Sequence, residues 1–132
     1  MSEIRIMLVD DHEVVREGLR ALLSRREGFQ VVAQAGTVAE SITEAARARP
    51  DIIVMDLQLP RTDGWALIRA LKLGRLTRPI PILVVSASVR PSDRERASRV
   101  GCDAFLAKPC EPARVVAELK TLLARTGTVG TV

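Results

Sequence analysis

Three features of the sequence predict a doubly wound α/β fold built on a five-stranded parallel sheet. Apolar runs such as Ile52-Ile53-Val54-Met55 and Ile82-Leu83-Val84-Val85 have no polar face, which suits strands buried on both sides. Between such runs lie segments whose apolar residues recur at helical spacing. The two kinds of segment alternate strictly, five times over, a pattern that argues for parallel strands joined by crossover helices on both faces.

The first strand, Ile4 to Val9, is interrupted only by Arg5 and delivers Asp10 and Asp11 at its end. From Glu13 to Arg26 a helix is expected, with Val15, Leu19, Leu22 and Leu23 on its apolar side and Gly28 as its stop. Phe29 to Ala35 is a short second strand, and Thr37-Val38-Ala39-Glu40 has the form of a capping box opening a helix to about Arg49. Pro50-Asp51 breaks that helix and leads into the central strand, Ile52 to Met55, after which Asp56 enters a turn-forming segment with Pro60 and Asp63-Gly64. Trp65 to Lys72 is an amphipathic helix closed by Gly74. Arg78-Pro79-Ile80-Pro81 is an extended entry to the fourth strand, because proline fixes φ and disfavours helix in the residue before it. That strand ends on Ser86. Ser92-Asp93-Arg94-Glu95 is a second capping box, for a helix ending at Gly101, and Ala104 to Ala107 is a fifth strand ending on Lys108-Pro109. Pro112 fits the first turn of a last helix with Val115, Val116, Leu119, Leu122 and Leu123 on one face. Residues 1–125 are read as one domain, and 126–132 as a flexible tail or the start of a linker.

The 132 residues, 47% of them hydrophobic, suffice for one domain with a single core. No run approaches the roughly 18 apolar residues of a membrane span, and Met1-Ser2-Glu3-Ile4-Arg5 lacks the form of a signal peptide. The expectation is a cytoplasmic protein with no membrane partner. Cys102 and Cys110 have neither metal-type nor redox-type spacing and are read as thiols. A net charge of +4 permits an acidic partner without identifying one. There is no Tyr, and no helix-turn-helix follows the domain, so direct nucleic-acid binding by this chain is not expected.

Among doubly wound topologies the flavodoxin-like order 2-1-3-4-5 fits best, and it sets the first strand beside the third. Asp10, Asp11 and Asp56 then share a crevice at the carboxyl ends of the strands, where such sheets bind ligands, with Ser86 and Lys108 at its edge. Carboxylates so placed repel, by about 4 kcal/mol per pair at about 4 Å with an effective dielectric near about 20. A hard divalent cation relieves this, and Mg²⁺ is typically held by one or two carboxylates, waters and a substrate phosphate. Lys108 adds a mobile positive charge and Ser86 a hydroxyl donor. A carboxylate nucleophile beside such groups describes phosphoryl transfer to form an aspartyl phosphate.

The chain resembles the receiver domain of two-component response regulators. The likeness is carried by Asp10-Asp11, by Asp56 with Leu57, Pro60 and Gly64, by Ser86-Ala87 and by Lys108-Pro109, and it extends to about Arg125. The opening from Leu8 to Leu19 looks most like receivers attached to helix-turn-helix output domains. The resemblance implies that Asp56 accepts a phosphoryl group from a histidine kinase or phosphotransfer protein. It implies that Asp10, Asp11, Asp56 and the backbone carbonyl of Gln58 bind Mg²⁺, and that Ser86 and Lys108 grip the phosphoryl oxygens. Phe105 would be an aromatic switch whose rotamer follows Ser86, and the Lys108-Pro109 bond would be cis. Phosphorylation would shift an equilibrium in the face made by the fourth helix, fifth strand and fifth helix, which would control a partner or a homodimer, with transcription as the implied output. Leu59 stands where Met is common, and Phe105 lacks the hydroxyl of the Tyr found in many members.

Simpler readings stand beside these. His12, the only histidine, invites a metal or phosphohistidine role but is read first as solvated. Cys110 is read as a bystander, and Arg90, Arg94, Arg96 and Arg99 as a solvated helix face. Trp65 is an optical probe with no chemical role. Gln58 and Ser88 flank the site where water would attack and are expected to tune the phosphate's lifetime. A Mg²⁺-dependent phosphatase is the competing enzyme reading, but that design places a second acid two residues beyond its nucleophile, where His12 follows Asp10. A docking module without chemistry is opposed by the complete acidic set.

Overall fold

The computed structural model describes residues 3–56, 58–59, 62–86, 91–107 and 112–126. Five strands, β1 (Ile4–Val9), β2 (Phe29–Ala35), β3 (Ile52–Met55), β4 (Ile82–Ser86) and β5 (Ala104–Ala107), form one parallel sheet. Their order is β2-β1-β3-β4-β5, the flavodoxin-like order expected. Helices α1 (Glu13–Ser24), α2 (Val38–Ala48), α3 (Gly64–Leu73), α4 (Pro91–Val100) and α5 (Pro112–Thr126) supply the crossovers. No helix among the described residues is long and apolar enough to cross a membrane.

Alternation along the strands divides the core in two. Met7, Val9, Ile53, Met55, Ile82 and Val84 pack with residues of α2 and α3 on one face. Ile6, Leu8, Ile52, Val54, Leu83 and Val85 pack with Leu23 of α1 and the apolar stripe of α5 on the other. Central strands β1, β3 and β4 are therefore apolar at every position except Arg5 and Ser86, which is why their sequences show no polar period.

Several local expectations are corrected. The first helix ends at Ser24, and Gly28 sits beyond it at φ 91, in a turn where the Phe29 amide donates to the Arg26 carbonyl. Val15 and Leu22 are half exposed, not core. Ser92 lies inside α4, which begins at Pro91, because a proline's fixed φ suits the first helical turn. The segment before β4 is turned, not extended: the Arg78 amide donates to the Gly74 carbonyl and the Ile80 amide to the Thr77 carbonyl. The Thr77 hydroxyl ties this turn to α3 by donating to the Leu71 carbonyl at 2.6 Å, which also accepts the Gly74 amide at 3.3 Å. A Cβ at Gly74 would lie 2.5 Å from that hydroxyl, so the position requires glycine. After β3, Gln58–Leu59 pairs with Thr62–Asp63 in a short antiparallel ladder that turn composition concealed. The capping box of α2 is present as expected, with the Glu40 amide donating to Thr37 Oγ1 at 3.2 Å.

At the amino end of the sheet, Lys72 ties three segments together. Its Nζ donates to the Ile80 carbonyl at 2.8 Å and pairs with Asp103 at 3.2 Å, while Asp103 accepts from the Ile82 amide at 2.8 Å. The stem passes over Gly101, where φ is 103 and a Cβ would meet Lys72 Cγ at 2.9 Å. Lys72→Met keeps the stem and removes the donors, and is expected to cost about 1–2 kcal/mol after allowing for partial exposure. An unchanged urea midpoint would contradict this role.

Cys102 lies beside this network, its Sγ donating to the Ala104 carbonyl at 2.8 Å. Burial pushes the thiol up to about 11. Since the folded value exceeds the unfolded one, the linked stability is present below about pH 8.5 and is lost as pH rises through the folded value. In a Cys110→Ser background, iodoacetamide labelling of Cys102 should be far slower than that of a free thiol near about pH 8. Titration at the free-thiol value would contradict the burial.

Candidate functional site

Strand register brings the acids together. Val9 pairs with Met55, so the next residue on each strand, Asp10 and Asp56, stand side by side, and the Asp56 amide continues the ladder by donating to the Val9 carbonyl at 3.0 Å. Both are withdrawn from solvent, at 9% and 5% exposure. Met55 in turn pairs with Val84, and two residues on, Ser86 closes β4 fully buried. Asp10, Asp56 and Ser86 are thus on three adjacent strand ends.

Asp10 is held from several sides. Its Oδ1 accepts the His12 amide at 2.9 Å, and its carbonyl accepts from the Arg16 guanidinium at 2.7 Å. Arg16 also donates to Gln34 Oε1 at 3.3 Å, and Gly36 leaves it room, since a Cβ there would lie 2.9 Å from Arg16 Nη1. The sequence alone assigns Arg16 no role; its bond to the Asp10 carbonyl makes it a positioning residue for the β1 end. His12 Nδ1 lies 3.3 Å from Asp10 Oδ1 and 3.2 Å from Asp11 Oδ1. The second contact lacks hydrogen-bond alignment, and Asp11 Oδ1 is buried without a hydrogen-bond partner among the described residues. Asp10, His12 and Asp56 offer ligand atoms within 4.8 Å of one another. His12, read from the sequence as solvated, is exposed yet turns its ring toward the acids.

This donor set fits a divalent cation. Carboxylate oxygens converge in a partly buried cleft, and one of them is orphaned, which is costly unless a positive charge meets it. A crevice of about 40 Å³ among the described residues runs beside Asp10 and Asp56 under Val15 and Leu19 of α1, room for about one water.

Phe105 of β5 pairs with Val84 of β4 and packs, half buried, against the α2–α3 side of the core, one strand over from Ser86 and two residues short of its level. Trp65 opens α3 and carries the Arg96 guanidinium 4.9 Å above its ring, so Arg96 is engaged and not simply solvated. Arg69 and Arg99 join Arg96 around an open hollow between α3 and α4. Lys108, Pro109, Cys110, Ser88 and Arg90, and the side chains of Gln58 and Arg94, lie outside the described residues.

Comparison with known proteins gives one answer. Residues 6–120 match the response regulator receiver domain. The transcriptional regulatory protein PrrA of Mycobacterium tuberculosis is 37% identical over 96% of this chain and 53% of its own length. A protein-glutamate methylesterase/protein-glutamine glutaminase of Anaeromyxobacter dehalogenans is 36% identical over 80% of this chain and 29% of its own length. The chain therefore spans about half, or less, of these curated relatives. The crystal structure of a LuxR-family two-component response regulator from Aurantimonas superposes with a TM-score of 0.87 at 35% identity, covering 94% of this chain and 87% of that one. With its acids at the carboxyl end of a β2-β1-β3-β4-β5 sheet, the chain belongs to the response regulator receiver domain family.

Proposed function

We propose that this receiver is a phosphorylation-activated switch in which Asp56 accepts a phosphoryl group from a histidine kinase or phosphotransfer protein. The observation that carries this is the juxtaposition of buried Asp56 and Asp10 on adjacent strand ends, beside Ser86. An Asp56 carboxylate oxygen attacks phosphorus, the bond from phosphorus to the donor's imidazole nitrogen breaks, and that nitrogen leaves with the electron pair. Asp10, Asp11, Asp56 and the Gln58 carbonyl would hold Mg²⁺, which when bound supplies the positive charge that lets anionic groups meet. The Ser86 hydroxyl and Lys108 ammonium take the phosphoryl oxygens. Arg16 keeps the β1 end fixed while this happens.

The chemistry is limited to formation and hydrolysis of the protein's own acyl phosphate, in the cytoplasm, with no separate substrate turned over. Ser86 drawn toward the phosphoryl group leaves space that Phe105 fills, and the face of α4, β5 and α5 changes with it. That face controls a partner or a homodimer, and the PrrA likeness favours transcription as the output.

Beryllofluoride with Mg²⁺ mimics the acyl phosphate. It is expected to shift amide resonances at the β3 end, Ser86 and Phe105 in the parent and to leave Asp56→Asn unmoved. Equal shifts in the two proteins, or none in the parent, would refute the switch.

A further inference from the structure

We infer that His12 makes the acidic crevice a zinc site, in which the imidazole Nδ1 joins the carboxylates and competes with magnesium for them. The inference rests on the acidic crevice being a cation site, and it adds a ligand and a metal preference.

Nδ1 of His12 stands at nearly equal distances from Asp10 Oδ1 and Asp11 Oδ1, 3.3 and 3.2 Å. Charge-assisted hydrogen bonds are shorter, about 2.7–2.9 Å, and one Nδ1 proton cannot serve both oxygens well. Two ligands bonded to one zinc ion at about 2.0–2.1 Å, in tetrahedral arrangement, are themselves about 3.3 Å apart. The two spacings at Nδ1 match those of ligands sharing an ion. Asp56 belongs to the same cluster, its oxygen within 4.8 Å of the Asp10 and His12 ligand atoms. Asp11 Oδ1 is buried without a hydrogen-bond partner, which a shared ion would remedy.

The hydrogen bond from the ring to Asp10 Oδ1 is long, at 3.3 Å. His12 is the N-cap residue of α1, where a side chain ordinarily accepts a backbone amide, yet it makes no side-chain cap bond. The His12 imidazole with the Asp10 and Asp56 carboxylates, and Asp11 Oδ1 beside the ring, form a nitrogen-and-oxygen set that zinc favours, whereas magnesium prefers six oxygens and retains its water. Because both ions need Asp10 and Asp56, zinc occupancy excludes magnesium from the crevice.

The test is chelator-competition titration of the whole chain with zinc and, separately, with magnesium, for the parent and for His12→Gln. The variant loses no capping bond, so it is expected to fold. Zinc affinity should fall by about tenfold or more while magnesium affinity changes by less than about threefold, since imidazole is a ligand only for the first. His12 is the only histidine, so its ring nitrogens are read in ¹⁵N NMR without mutation. Zinc should move the Nδ1 resonance, and magnesium should not. Equal zinc affinity in the two proteins, an equal loss for both ions, or an Nδ1 unmoved by zinc would overturn the proposal. Magnesium failing to bind either protein while the zinc difference persists would instead sink the magnesium-dependent phosphoacceptor and leave the zinc site standing.

Discussion

Pairing of Val9 with Met55 is the constraint on which the site depends, because it puts Asp10 and Asp56 next to each other before any ligand arrives. A slip of one residue would separate the acids and turn every side chain of the strand to the opposite face. The two core clusters resist that slip, since Met7, Val9, Ile53 and Met55 face α2 and α3 while Ile6, Leu8, Ile52 and Val54 face α1 and α5. Packing energy spent on register thus holds like charges together that would otherwise separate. A cation bound between them would relieve that repulsion.

The two ends of the sheet divide the work. At the amino end, Lys72, Asp103, Thr77 and Gly74 close the α3 terminus and bind it to the β4 and β5 entries with hydrogen bonds that need no ligand. At the carboxyl end, polar groups are arranged around an opening, and Asp11 Oδ1 is orphaned among the described residues. Stability can therefore be altered through Lys72 with the acids untouched, and ligand chemistry through His12 with the core untouched. Arg16 crosses between these roles, since its guanidinium, admitted by Gly36, fastens the Asp10 carbonyl to the helix that covers the crevice.

How legible each part was follows from the range of the interactions involved. The five strands and their order were readable because fully buried parallel strands leave unbroken apolar runs, and the α2 start because Thr37 and Glu40 cap each other locally. Ser92 misled because its spacing to Glu95 mimics a capping box although Pro91 already opens the helix. Arg78-Pro79 misled because that segment is tied to α3 by the Thr77 hydroxyl reaching back to Leu71, a contact no proline rule contains. The placement of Asp10 and Asp56 at adjacent strand ends was legible from motif order. The orientation of the His12 ring was not, since it depends on the local path between β1 and α1. Neither was the Arg96 contact with Trp65, which joins two helices distant in sequence.

The central claim is that register has built a phosphoacceptor at Asp56. Intact mass after incubation with acetyl phosphate, with and without Mg²⁺, tests it most directly when the parent is compared with Asp56→Asn. The account predicts one added phosphoryl group that requires Mg²⁺ and is absent from the variant. An equal addition to both proteins, or an addition indifferent to Mg²⁺, would contradict it.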